Sequence, residues 1–122
     1  MDRQTLIQHL VLDMISNDYE NVDQTILEDV NKYAPEYGVT VTRTDVVAAL
    51  EQLVAQGLAK AYVVAGTPPL LVPFAGMPAL DVVEEDDYKN KNWFIATAKG
   101  RHLMASEPAW YPESQPGDSE HG

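Results

Sequence analysis

The feature that most constrains this chain is a change of apolar period between Thr42 and Ala65. Val46, Val47, Leu50, Leu53 and Val54 recur at helical spacing, whereas Ala59, Ala61 and Val63 alternate with Lys60, Tyr62 and Val64. A helix therefore runs almost directly into a strand. Gly57 stands at the junction, where a left-handed C-cap residue is wanted. Thr42 is placed to cap the helix, and Asp45, three residues on, completes a shortened capping box.

Other elements fall into place around this unit. Leu6, Ile7, Leu10, Val11, Met14 and Ile15 predict a first helix from Arg3 to about Asn17, with Asp2 as its cap. A second helix is expected from Asp23 to Tyr33, capped by Asn21 or Asp23 and stopped by Pro35 and Gly38. Asn92 to Thr97, with Trp93, Phe94 and Ile95, reads as a second strand. Thr97 is then placed to cap a short closing helix from Ala98 to about Ser106. Residues 66–91 form an unusually long connection between the two strands. The expected core is Leu50, Leu53, Val54 and Leu58 against Leu10, Met14, Ile26, Leu27, Val30 and Phe94. The expected organisation is one domain over residues 1–106 and an acidic, proline-rich, mobile tail over 107–122.

Charge and composition narrow the function. The 122 residues carry 19 acids and 8 bases, a formal charge of −11. That weighs against gripping a polyanion over the whole surface, since such binding depends on Lys and Arg displacing counterions. The absence of cysteine excludes disulfides, thiolate metal sites and thiol nucleophiles. The uncharged run from Ala61 to Leu80 contains Pro68, Pro69, Pro73 and Pro78, which argues against a membrane span. Met1–Gln8 lacks the pattern of a signal peptide, so a cytoplasmic address and no membrane partner are expected. His9 and Asp13 share a helix face at metal-ligand spacing, yet no third ligand accompanies them, and a solvated face is the expected reading. The run Glu84–Asp87 lacks the alternation and central glycine of a calcium loop. No hydroxyl nucleophile sits in a recognisable motif. The chain is expected to be non-enzymatic, with no catalytic residue, no cofactor and no metal.

The order helix, helix, helix, strand, long loop, strand, helix resembles a winged helix-turn-helix domain. Two segments carry the resemblance. Asp45-Val46-Val47-Ala48-Ala49-Leu50-Glu51-Gln52-Leu53-Val54-Ala55-Gln56-Gly57-Leu58 is similar to the family's third helix and its exit into the wing. Phe94-Ile95-Ala96-Thr97-Ala98-Lys99-Gly100-Arg101 resembles its closing aromatic-x-Leu-Thr-x-x-Gly-Arg step. The resemblance implies an α+β fold: a three-helix bundle with a two-stranded β-wing and a short C-terminal helix. It also implies a transcription-regulator-like role. Under a DNA-binding repressor or activator reading, Arg43, Thr44, Gln52, Lys89 and Lys91 would contact double-stranded DNA. Arg43 is the single base on the exposed face of the third helix.

Two departures point to protein contacts instead. The connection between the second and third helices, Ala34 to Val41, exceeds the usual three or four residues. The wing carries Leu70, Leu71, Val72, Phe74, Met77, Leu80, Val82 and Val83, far more apolar surface than a DNA-touching loop needs. Either this loop packs on its own domain, or Leu70, Leu71, Phe74 and Met77, with Trp110 and Tyr111 of the tail, form a partner or dimer surface. The leading expectation is a regulatory module that acts largely through a protein partner or a homodimer.

Overall fold

The computed structural model describes residues 2–80, 83 and 91–106. Four α-helices and a three-stranded antiparallel sheet make up an α+β fold: α1 (Arg3–Met14), α2 (Leu27–Tyr33), α3 (Arg43–Ala55), β1 (Ala59–Ala65), β2 (Leu70–Phe74), β3 (Asn92–Ala96) and α4 (Ala98–Ser106). No helix among the described residues is long and apolar enough to cross a membrane.

The α3–β1 unit forms as its local signals require. Thr42 accepts from the Asp45 backbone N–H, and the Asp45 carboxylate accepts from the Thr42 N–H at 2.9 Å, so both halves of the capping box are present. Gly57 ends the helix at φ 74°, a conformation that costs glycine nothing. Leu58 N–H then returns to the Leu53 carbonyl and β1 begins. Leu50, Leu53 and Val46 are buried where α3 packs on α1 and on the turn Val22–Ile26, with Phe94 from β3 closing the core from the sheet side. Val54, Met14 and Leu27 pack at its margin, only partly buried.

The expected two-stranded wing is in fact three-stranded, in the order β2-β1-β3. Leu70–Phe74, expected as loop, pairs antiparallel with β1 from Ala61↔Phe74 to Ala65↔Leu70, leaving only residues 66–69 as the turn. Proline explains why this strand was missed and how it survives. Val64 donates its N–H to the Lys91 carbonyl on the β3 side, so the alternation of an antiparallel ladder turns the Pro73 nitrogen, opposite Tyr62, away from β1. Pro73 thus loses no ladder bond, and it blunts the outer edge of β2. On the far edge of β3, Glu20 and Phe94 exchange backbone hydrogen bonds of 2.9 and 2.8 Å, adding a one-residue bridge from the α1–α2 connection.

Further differences have non-local causes. The start of the second helix is a π-helical turn, Val22–Ile26, capped by Asn21 rather than Asp23. The first helix closes at Met14, because the following chain turns to reach β3, where Ala96 N–H bonds the Ile15 carbonyl at 2.8 Å. The long 34–41 connection is not an open loop. Ala34–Tyr37 continue as a 3₁₀ turn, and the Asn31 amide brackets Val41, donating to its carbonyl at 2.8 Å and accepting from its N–H at 3.0 Å. Leu12, off the apolar stripe of α1, is buried because α4 covers that side.

Candidate functional site

Two surfaces were singled out by the sequence, the exposed face of α3 and the wing. On α3, Thr44, Ala48, Glu51 and Gln52 face solvent, but Arg43 does not project from the helix as a reading residue would. Its Nε donates to Asp23 Oδ1 at 2.6 Å, and a terminal nitrogen donates to the Leu80 carbonyl at 2.6 Å. The Arg43 side chain is 24% exposed and that of Asp23 6%. Arg43 therefore ties three segments together: the start of α3, the π turn and the chain that follows β2. To touch a phosphate it would have to leave a largely buried carboxylate without its counter-charge, at a cost of several kcal/mol.

The other cation at this end is also engaged. Arg3 donates to Asp45 at 2.8 Å and to the Thr40 carbonyl at 2.9 Å. Arg3 and the Thr42 backbone N–H hold the Asp45 carboxyl well below the usual carboxylate range. Between α1 and α3 lies an open cleft of about 350 Å³, lined by Gln4, Gln8, Asp45, Ala48, Glu51 and Gln52 among others. Amides and carboxylates line it without a lysine or arginine, a poor match for a phosphate backbone. His9 is half-buried on α1 and Asp13 exposed, and no group of three or more potential metal ligands occurs among the described residues.

The wing divides into a packed base and a bare tip. Phe74 and Met77 pack against the core and Leu80 is buried, so this part of the apolar run covers its own domain. At the tip, Leu70 is 64% exposed, Leu71 37% and Val64 36%. Leu70 and Leu71 point to opposite faces of the hairpin, so no single contact with the domain could cover both. The charge-free stretch seen in the sequence is thus a β-hairpin projection that is apolar on its two sides. Lys91 is exposed just ahead of β3. Lys89, Trp110 and Tyr111 lie outside the described residues.

A third surface was not foreseen. The sheet buries Ala59, Ala61, Phe94 and Ala96 on its inner face, so its outer face carries Lys60, Tyr62, Trp93 and Ile95, all half-buried, with Pro73 exposed beside them. Tyr19, from the α1–α2 connection, stands edge-on to Tyr62 with centroids 5.0 Å apart and planes at 87°. Burial against this neighbour pushes the Tyr19 phenol above its ordinary value. Alternation in the two strands was the available signal, because Tyr62 and Trp93 are cross-strand partners. No family model, curated protein or solved structure matches this chain.

Proposed function

We propose that this chain is a non-enzymatic regulatory module of winged-helix type that acts through protein contacts made by its β1–β2 hairpin, in the first place with a second copy of itself. The observation that carries this reading is the bare hairpin tip, where Val64, Leu70 and Leu71 are exposed on a projection without charge. The resemblance of the α3–β1 and β3–α4 segments supports the winged-helix assignment, and the helical layout around β1 and β3 is compatible with it.

DNA binding by α3 and the wing is the competing role. Against it stand the commitment of Arg43 to Asp23 and of Arg3 to Asp45, which leave the exposed face of α3 with Thr44 and Gln52 as polar donors and Glu51 as a charge of the wrong sign.

Light scattering over a dilution series tests the proposal. The wild-type chain is expected to approach twice its 13.5 kDa mass as concentration rises. Replacing Leu70 and Leu71 together by Glu should return it to the monomer mass with an unchanged far-ultraviolet circular dichroism spectrum. A wild-type monomer at every concentration, together with duplex DNA affinity that falls steeply with salt, would overturn the proposal in favour of the DNA-binding role.

A further inference from the structure

We propose that the outer face of the sheet is the docking site for the chain's own segment Glu107–Gly122. This inference goes beyond the hairpin contact proposed above and stands on different residues.

The face has the chemistry of a groove for an extended, proline-bearing acidic peptide. Tyr19, Tyr62 and Trp93 supply aromatic surface across β1, β3 and the flanking connection. Proline rings dock on such surfaces at little entropic cost, since their backbone is already restrained to extended conformations.

Cations lie on this face and at its end. Among the described residues, Arg3, Lys32 and Arg43 form ion pairs with Asp45, Asp29 and Asp23 on the helical side. Four more described cations, Lys60, Lys91, Lys99 and Arg101, belong to β1, to the approach to β3, and to α4. Lys99 and Arg101 donate to the Gln56 and Ala96 carbonyls, which holds them where β1 starts and β3 ends. Lys60 on the outer face of β1 and Lys91 just ahead of β3 thus put positive charge beside the aromatic residues, with Lys99 and Arg101 at the end of the sheet.

The segment is complementary in each respect. Residues 107–122 hold Pro108, Pro112 and Pro116, the aromatic pair Trp110–Tyr111, four acids (Glu107, Glu113, Asp118, Glu120) and no lysine or arginine. Reach is not limiting. α4 follows β3 after a single residue and spans nine residues, so the segment starts within about 14 Å of the end of β3. Extended at roughly 3.1 Å per residue, it covers ~50 Å, more than the span of a domain whose radius of gyration is about 13 Å. Docking there places Trp110 and Tyr111 beside Tyr62 and Trp93, so these two residues serve as an internal ligand instead of anchors for a partner.

The absence of cysteine allows a clean test on the full chain. A nitroxide is attached to Ser114→Cys, and backbone amide signals of the ¹⁵N-labelled protein are compared before and after reduction of the label. Amides of Lys60–Tyr62 and Trp93–Ile95, and the Trp93 indole signal, are expected to lose most of their intensity, while those of Gln8, Glu51 and Gln52 keep theirs. Lys60→Glu in the same chain, or high salt, should restore the lost signals without altering the spectrum of the helices. Loss on the helical face instead, or no loss anywhere in the sheet, would overturn the proposal. So would loss seen equally when nitroxide-labelled chain at natural abundance is mixed with unlabelled ¹⁵N chain, since a second copy would then be donating the segment.

Discussion

Replacing Gly100 by Ala pits two effects of opposite sign against each other. Gly100 lies in α4, where helix propensity alone makes Ala better by about 1 kcal/mol. A Cβ at this position, however, would overlap the Leu58 carbonyl oxygen and stand 3.2 Å from its carbon and 3.3 Å from Leu12 Cδ1. The oxygen is backbone, so it cannot rotate aside as a side chain would. Relief requires α4 to withdraw from β1 by about 1 Å, the excess over an ordinary contact, and strained insertion of this kind typically costs ~1–3 kcal/mol. Withdrawal also stretches the bonds that seat the helix: Thr97 N–H to Leu58 O at 2.9 Å, Thr97 Oγ1 to Gly57 O at 2.7 Å and Lys99 Nζ to Gln56 O at 2.9 Å. Losing one or two of them adds about 1 kcal/mol each. The net expectation is a destabilisation of roughly 2–3 kcal/mol after the propensity gain is subtracted. In urea unfolding followed by circular dichroism, with an m value of ~2 kcal/mol per M, the midpoint should fall by about 1 M. Thermal unfolding should shift down by about 10 °C. His102→Ala, on the exposed side of the same helix, should stay within ~0.5 kcal/mol of wild type. A midpoint for Gly100→Ala equal to or above wild type would refute the close-approach argument and return the position to an ordinary helical glycine.

Four further expectations follow from the polar and charged contacts. Arg43→Met should destabilise by about 2–4 kcal/mol because it strands the Asp23 carboxylate, and Arg43→Met with Asp23→Leu should recover much of that loss in a double-mutant cycle. Asp45 titrates lower in the fold than unfolded, so its contribution is present above the ordinary carboxylate range and drains away as pH falls through and below it; Arg3→Met should flatten this acid loss in urea midpoints measured between neutral and strongly acidic pH. Glu20 has the opposite sign: burial raises its carboxyl, so Glu20→Gln should stabilise at neutral pH and lose that advantage at a pH below the unfolded carboxylate value, as read by the same midpoints. Asn21 Oδ1 accepts from Gln24 N–H at 2.7 Å while its buried Nδ2 has no partner. Asn21→Ser, which keeps an acceptor and deletes the orphan donor, should therefore be milder than Asn21→Ala, which loses the cap at about 1–2 kcal/mol.

Arg43 shows why the candidate site was only half legible in the sequence. Its position on the exposed side of α3 follows from helical spacing, and on that basis it is the natural first contact for a duplex. Its partner, Asp23, is 20 residues away and sits in a π turn that the apolar pattern does not announce. The wing residues were more legible, because an uncharged run flanked by charges is visible in any sequence. Whether Leu70 and Phe74 are exposed or packed depended on where the hairpin leaves the core.

By itself the sequence determined the elements whose signals are local: the capping box of Thr42 and Asp45, the stop at Gly57, the strands around Tyr62 and Phe94, and the charge-free wing. Each of these rests on hydrogen bonds or periodicity within a few residues, so the chain carries the information wherever it folds. Tertiary structure alone decided that Leu70–Phe74 is a strand, that Leu12 is buried, that Gly100 must lack a Cβ and that Arg43 serves the fold. For Leu12, Gly100 and Arg43 the partner is remote in sequence, whereas Leu70–Phe74 pairs with the adjacent β1 and is hidden from the pattern by Pro73 and the absence of clean alternation. A one-dimensional pattern records which face a residue shares, but only packing records what stands opposite it.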